Sequence, residues 1–161
     1  MRCVCRAAAV MLALSSAPFA YAQKADSSAR YVNPQNLPKP NGYSHAVEVS
    51  AGRTLYVSGQ LPLDKDGNLV GNGDFAAQAG QVFANLKTAL EASGATFKDV
   101  VKLNMFVTDM DQLKALREAR DKYIDSRNPP ASTLVEVKRF VKEGAMVEID
   151  AIAVVPERSL R

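Results

Sequence analysis

A chain of 161 residues, 47% hydrophobic and 23% charged, is long enough for one packed domain, too apolar for a disordered segment and too polar for a membrane bundle. Its formal charge of +3 overstates its basic character, because Arg2 and Arg6 fall in a segment expected to be removed. Without them 18 basic residues (20 less two) face 17 acids, and no arginine-rich or aromatic-interleaved stretch offers a footprint for nucleic acid.

Residues 1–22 have the three-part layout of a secretory signal peptide. Arg2 and Arg6 make a basic start, residues 7–14 an apolar run, and Ala20-Tyr21-Ala22 a small-x-small cleavage signal preceded by Pro18. The apolar run is too short to span a bilayer. Cleavage after Ala22 predicts a periplasmic or secreted protein with no membrane attachment. Cys3 and Cys5 leave with the signal, so the mature chain has no disulfide, thiol nucleophile or cysteine metal ligand.

Residues 23–41 are polar and carry Pro34, Pro38 and Pro40, which reads as an extended leader with little structure of its own. Residues 42–157 form the expected domain. Two strand-like runs, 46–49 and 54–58, flank Ser50-Ala51-Gly52-Arg53 and read as a hairpin. Pro62 and Asp66-Gly67-Asn68 end the second run. A helix is expected over 75–93, with Asp74 as N-cap, Gly94 just past its end, and Ala79, Val82, Phe83, Leu86 and Leu90 on one face.

A strand follows over 100–108, where Val101, Leu103, Met105 and Val107 alternate with more varied partners. Asp109 or Asp111 would cap a second helix whose apolar face uses Leu113, Leu116, Tyr123 and Ile124, and Asn128-Pro129-Pro130 would stop it. Strands over 132–137 and 147–155 complete the order β-β-α-β-α-β-β, with Gly144 in the turn between them. The simplest fold is α/β (more narrowly α+β), one mixed sheet with both helices on one face. The other face would be uncovered yet partly apolar, so self-association is expected on physical grounds.

Five segments in order resemble the Rid (YjgF-like) family and span nearly everything after Asn41. They are Gly42-Tyr43-Ser44-His45-Ala46, Val57-Ser58-Gly59-Gln60, residues 101–107 (VKLNMFV), residues 130–137 (PASTLVEV) and residues 147–154 (VEIDAIAV). The resemblance implies a chorismate-mutase-like fold assembled as a homotrimer, with pockets between subunits. It also implies hydrolysis of reactive enamines and imines, such as 2-aminoacrylate, to the keto acid and ammonia, with no metal or organic cofactor.

That chemistry needs a group to orient the substrate carboxylate, for which a planar guanidinium is suited, and an acid to handle the water and the protons. The resemblance places Tyr43 on the pocket loop, Ser58 in the Ser-Gly-Gln segment, and the water-handling acid at Glu148. It also exposes three departures. Ser132 stands where the family's carboxylate-binding arginine follows the Pro-Ala pair, Leu134 where cysteine is frequent, and Arg117 where deaminating members often have asparagine. Serine is short and neutral and cannot replace a bidentate cation.

Each residue also has a plainer reading. Glu148 is either the proton-handling acid or half of an intersubunit ion pair. Arg117 either returns a positive charge to the pocket or sits on a solvated helix face paired with Asp121 at i,i+4. Ser132 has no visible His-Asp partner to make it a nucleophile and reads as a turn cap or a hydrogen-bond donor. Tyr43 either stacks on a ligand or closes the wall; Gly59 marks a close backbone approach; His45, the only histidine, makes no metal site alone. Arg127 and Arg139 are weaker cation candidates, Arg139 pointing away from the Ser132 face by alternation. The functional expectation is therefore a small-molecule site of imine or enamine hydrolase type. The competing expectation is a ligand-binding or protein-protecting trimer without turnover. A ribonuclease-like role is disfavoured by export and by the near-neutral mature charge.

Overall fold

The computed structural model describes residues 29–156; the expected signal segment and the first part of the leader lie outside them. Six strands and two helices run in the order β1 (Ala29–Val32), β2 (Ala46–Val49), β3 (Arg53–Gln60), α1 (Phe75–Ala92), β4 (Val100–Val107), α2 (Leu113–Arg120), β5 (Ala131–Glu136) and β6 (Val147–Val155). The main sheet has the strand order β3-β6-β4-β5. β6 pairs antiparallel with both β3 and β4, and β4 pairs parallel with β5. The mixed sheet with two helices is the architecture expected.

Two strand assignments differ from expectation. The stretch read as leader contains β1, which pairs antiparallel with β2 and sets Arg30 opposite Glu48 and Tyr31 opposite Val47. Consequently β2 and β3 are not a hairpin within one sheet: β2 belongs to the two-stranded sheet with β1, and β3 to the four-stranded one. A short glycine-bearing connection shows that the chain turns. It does not say which edge of β2 finds a partner, and here the Arg30–Glu48 ion pair accompanies pairing with β1.

α1 forms where the periodicity places it. Asp74 accepts a hydrogen bond from the Ala77 amide at 3.0 Å, satisfying a donor that the first turn leaves free. Gly94, at φ +74, lets the chain leave beyond Ser93. Ala79, Val82, Phe83, Leu86 and Leu90 are fully buried. They pack on the alternate residues of the sheet that face them, Leu103, Met105 and Val107 of β4 and Val147, Ile149, Ala151 and Ala153 of β6.

α2 is shorter than expected. Asp109 caps a single tight turn over Met110–Gln112, and the helix ends at Arg120, whose carbonyl accepts from both the Tyr123 and Ile124 amides. Such bonds tighten a helix end into a turn. Tyr123 and Ile124 still reach the core from that turn: Tyr123 stacks on Phe83 with centroids 5.4 Å apart, and Ile124 is buried.

Among the described residues the opposite sheet face carries no helix. Tyr56 is 77% exposed on β3 and Val135 40% exposed on β5, and Asn104 donates to Asp150 across it at 2.8 Å.

Candidate functional site

On the helix side, at the β5 edge of the sheet, a cavity of about 220 Å³ opens between α2, β4, β5 and the loop before β2. Its floor is apolar, made by Met105, Leu113, Leu116 and Leu134; its polar groups come from Asn41, Tyr43, Arg117, Arg120 and Ser132. Pockets for drug-sized ligands run from ~300 to 1,000 Å³, so this volume suits a small metabolite.

The pocket loop is fixed by Ser44, which is 1% exposed. Its hydroxyl donates to the Pro129 carbonyl at 2.7 Å and its amide to the Pro130 carbonyl at 3.1 Å. Tyr43 is thereby held beside the start of β5 and next to Ser132. His45 meets Tyr43 edge-on with ring centroids 5.4 Å apart, and its Nε2 lies 2.8 Å from the Pro38 carbonyl oxygen. It is a bracing residue of the loop. Among the described residues no group of His, Cys, Asp and Glu is arranged to hold a metal ion, and no helix is long and apolar enough to cross a membrane.

Three of the five residues singled out from sequence therefore meet: Tyr43, Arg117 and Ser132. Two further polar members were missed, Asn41 and, more consequentially, Arg120. Arg120 is only 9% exposed; its Nε donates to Asp121 Oδ1 at 2.8 Å, and its Nη2 is in ion-pair contact with the same oxygen at 2.8 Å. This overturns the pairing considered for Arg117: Asp121 is taken by Arg120, and Arg117 makes no ion pair among the described residues. Sequence held a signal for Arg120, since it lies three residues after Arg117 and seven after Leu113, on the same helix face.

Glu148 and Ser58 lie elsewhere. Val147 and Ile149 of β6 are buried toward the helices, and Glu148 between them points to the bare face. There it borders a shallow depression with Phe106, Val137, Arg139 and Phe140, which puts Arg139 on the side away from Ser132. Ser58 is exposed beside buried Val57 on β3. The β3–β6 register shifts between Val57 and Gln60, and a Cβ on Gly59 would collide with the Glu148 carboxylate. Glycine is what allows that acid to lie against β3.

Comparisons with known proteins bear on this arrangement. The family model described as Endoribonuclease L-PSP matches residues 34–155, beginning within the stretch read as leader. The chain is 41% identical over 124 residues to Protein DfrA of Myxococcus xanthus, covering 76% of this chain and 93% of that protein. It is 37% identical over 130 residues to the 2-iminobutanoate/2-iminopropanoate deaminase of Dermatophagoides farinae, covering 80% and 98%. Among solved structures, the Rid-family protein YyfB of Yersinia pestis, described as of unknown function, superposes with a TM-score of 0.72 at 34% identity, covering 80% of this chain and 99% of that one. With a matching family model over most of its length and relatives of this similarity, the chain belongs to the Rid (YjgF-like) family.

Proposed function

We propose that the protein is a Rid-type small-molecule hydrolase of imines or enamines whose working site is completed between copies of the chain. The observation that carries this is the division of candidate groups between the two faces of one sheet. The cavity with Tyr43, Arg117 and Ser132 is on the helix side at the β5 edge, whereas Glu148 and Ser58 belong to β6 and β3 on the opposite face. One protomer cannot bring them to a common substrate. β3 and β5 are the two different edges of the sheet, so an association joining the β5 side of one copy to the bare face near β3 of the next is head-to-tail. Such contacts give a ring where the rotation between copies closes and a filament where it does not, and a closed trimer is the assembly we propose. The exposed Tyr56 and Val135 support burial of that face by another copy.

In this reading a partner's Glu148 carboxylate takes a proton from water as the water oxygen adds to the imine carbon. That proton passes to nitrogen to give a carbinolamine; its hydroxyl proton then also moves to nitrogen as the carbon–nitrogen bond breaks, and ammonia leaves a carbonyl product. The deaminase relative of Dermatophagoides farinae supports this reaction class. Binding without turnover is the second reading, favoured by Arg139 beside Glu148, a potential ion-pair partner for the acid. We also propose that residues 1–22 direct export.

The test is ammonia release from 2-iminopropanoate, made in situ by an amino-acid oxidase, with protein beginning at Gln23. A rate above uncatalysed hydrolysis that Glu148→Gln lowers by about 100-fold or more is expected. A background rate from folded protein selects binding without turnover.

A further inference from the structure

A separate cavity, of about 390 Å³, shares no lining residue with the one at the β5 edge. It lies where β1, the tight turn before β4 and the stretch after α2 meet, and Tyr31, Phe97, Tyr123, Ile124 and Pro130 wall it. Phe97 and Tyr123 are tilted at 48° with ring centroids 5.0 Å apart, and Tyr123 rests in turn on Phe83 of α1. Tyr31 comes from β1, ahead of the residues 34–155 that the family model matches. All three rings on the cavity are half-buried, so each keeps part of its surface for an occupant.

The charges around this space differ in how far they are engaged. Arg127 holds Asp125: its Nε and Nη2 donate to the two carboxylate oxygens at 3.1 and 2.9 Å, and its amide adds a bond at 2.9 Å. Those bonds keep the Asp125 carboxyl below its ordinary range. Asp99 is likewise occupied, accepting from the Thr96 amide and hydroxyl at 2.7 and 3.0 Å. Lys98 is exposed on the cavity, and its side chain makes no hydrogen bond or ion pair among the described residues. Burial, and after it the Asp125 and Asp99 carboxylates, push the Tyr31 hydroxyl up, so it stays a hydrogen-bond donor.

From this geometry we propose that the cavity is a second small-molecule site, one that binds a planar aromatic acid of one or two rings. The ring system lies against Tyr31, Phe97 and Tyr123, and the acid group meets Lys98 at the rim. Aromatic walls with a few polar groups are the usual make-up of small-molecule sites, and the volume falls within their range of ~300–1,000 Å³. A flat ligand gives the three rings aromatic contacts that water does not. The lining residues carry two cations, Lys98 and Arg127, against the one acid Asp125, which favours an anion over a neutral or cationic ring. The site is separate from the cavity that holds Arg117 and does not depend on the hydrolytic reading. Rings that only close the edge of the core would give no preference between an acid and its amide.

The probe is 2-naphthoate, whose fluorescence can be followed selectively because the chain has no tryptophan. It is titrated into the assembled protein beside 2-naphthamide, with benzoate and cyclohexanecarboxylate as competitors. The acid is expected to bind about tenfold tighter than the amide, the scale of a charged hydrogen bond. Benzoate should displace it at several-fold lower concentration than the saturated ring does. Lys98→Gln should remove most of the preference for the acid, and Asp125→Asn should tighten 2-naphthoate several-fold by removing a like charge and freeing Arg127. Tyr31→Leu, which keeps an apolar side chain on β1, should weaken it about fivefold. Arg117→Gln should leave it unchanged. Equal affinity for acid and amide, equal competition by the two ring acids, or 2-naphthoate binding indifferent to Lys98→Gln and Tyr31→Leu overturns the site. Binding lost in Arg117→Gln puts the acid in the other cavity and overturns it as well.

Discussion

Gln78→Leu is expected to destabilise the protein by about 3 kcal/mol. Gln78 is 0% exposed in the middle of α1's apolar face, and its amide ties two other backbone segments to the helix, the loop at Gly71 and the turn into β6. Nε2 donates to the Gly144 carbonyl at 2.8 Å and the Gly71 carbonyl at 3.1 Å, and Oε1 accepts from the Met146 amide at 2.7 Å. Leucine fills similar space and removes all three bonds. The Gly71 carbonyl keeps a second partner, the Asp74 amide at 2.9 Å, so the loss falls chiefly on the Gly144 carbonyl and the Met146 N–H. A buried group left unsatisfied costs ~1–3 kcal/mol, giving about 2–6 kcal/mol for two, less ~1–2 kcal/mol regained by burying an apolar side chain. The assay is urea denaturation at fixed protein concentration, since self-association couples stability to concentration. A ΔΔG below about 1 kcal/mol, inside the usual range for replacements without a specific mechanism, refutes the view that this amide pins the start of β6.

Gly59→Ala should lower ammonia release about as much as Glu148→Gln with little change in stability. The added Cβ displaces the end of a flexible side chain rather than backbone, and unchanged turnover would remove Glu148 from the reaction. Tyr56→Glu, at a site already 77% exposed in the protomer, should leave the monomer folded but lower the assembly mass seen by light scattering; an unaltered mass shows that the bare face is not an interface. Asp64 is held below its ordinary carboxylate value of 3.8 chiefly by the Asn68 amide and side chain, then by the Asp66 and Gly67 amides. A depressed carboxylate adds stability above its unfolded pKa that is lost as pH falls through the folded one, so Asp64→Ala should flatten the acid limb of the unfolding midpoint below about pH 4. An acid limb identical to the parent's would show that the loop bonds do not survive in solution.

What could be read in the sequence divides along physical lines. α1 was legible to within a residue because Asp74, Gly94 and the 3.6-residue apolar stripe all report local geometry. β6 was legible because its burial alternates without a break from Val147 to Ala153. The partner of β2 was not, because pairing is a long-range choice and strands of four residues carry little pattern with which to specify an edge. Gln78 was equally hidden: its spacing puts it on the buried face of α1, but its bonds to Gly71, Gly144 and Met146 exist only once the loop and β6 have come together.

The candidate site shows the same division more sharply. Ser132 could be flagged from the chain alone because it departs from a pattern, but a departure names what is missing and not what takes its place. Arg117 was left between a pocket role and an Asp121 pair because i,i+4 spacing permits the pair without requiring it. The choice is made by side-chain direction: Asp121 keeps its helical backbone bond to the Arg117 carbonyl at 2.9 Å, yet its carboxylate turns to the Arg120 fork. Thus the rotamer of one exposed carboxylate, which residue spacing does not report, decides here which arginine faces the cavity without a carboxylate partner.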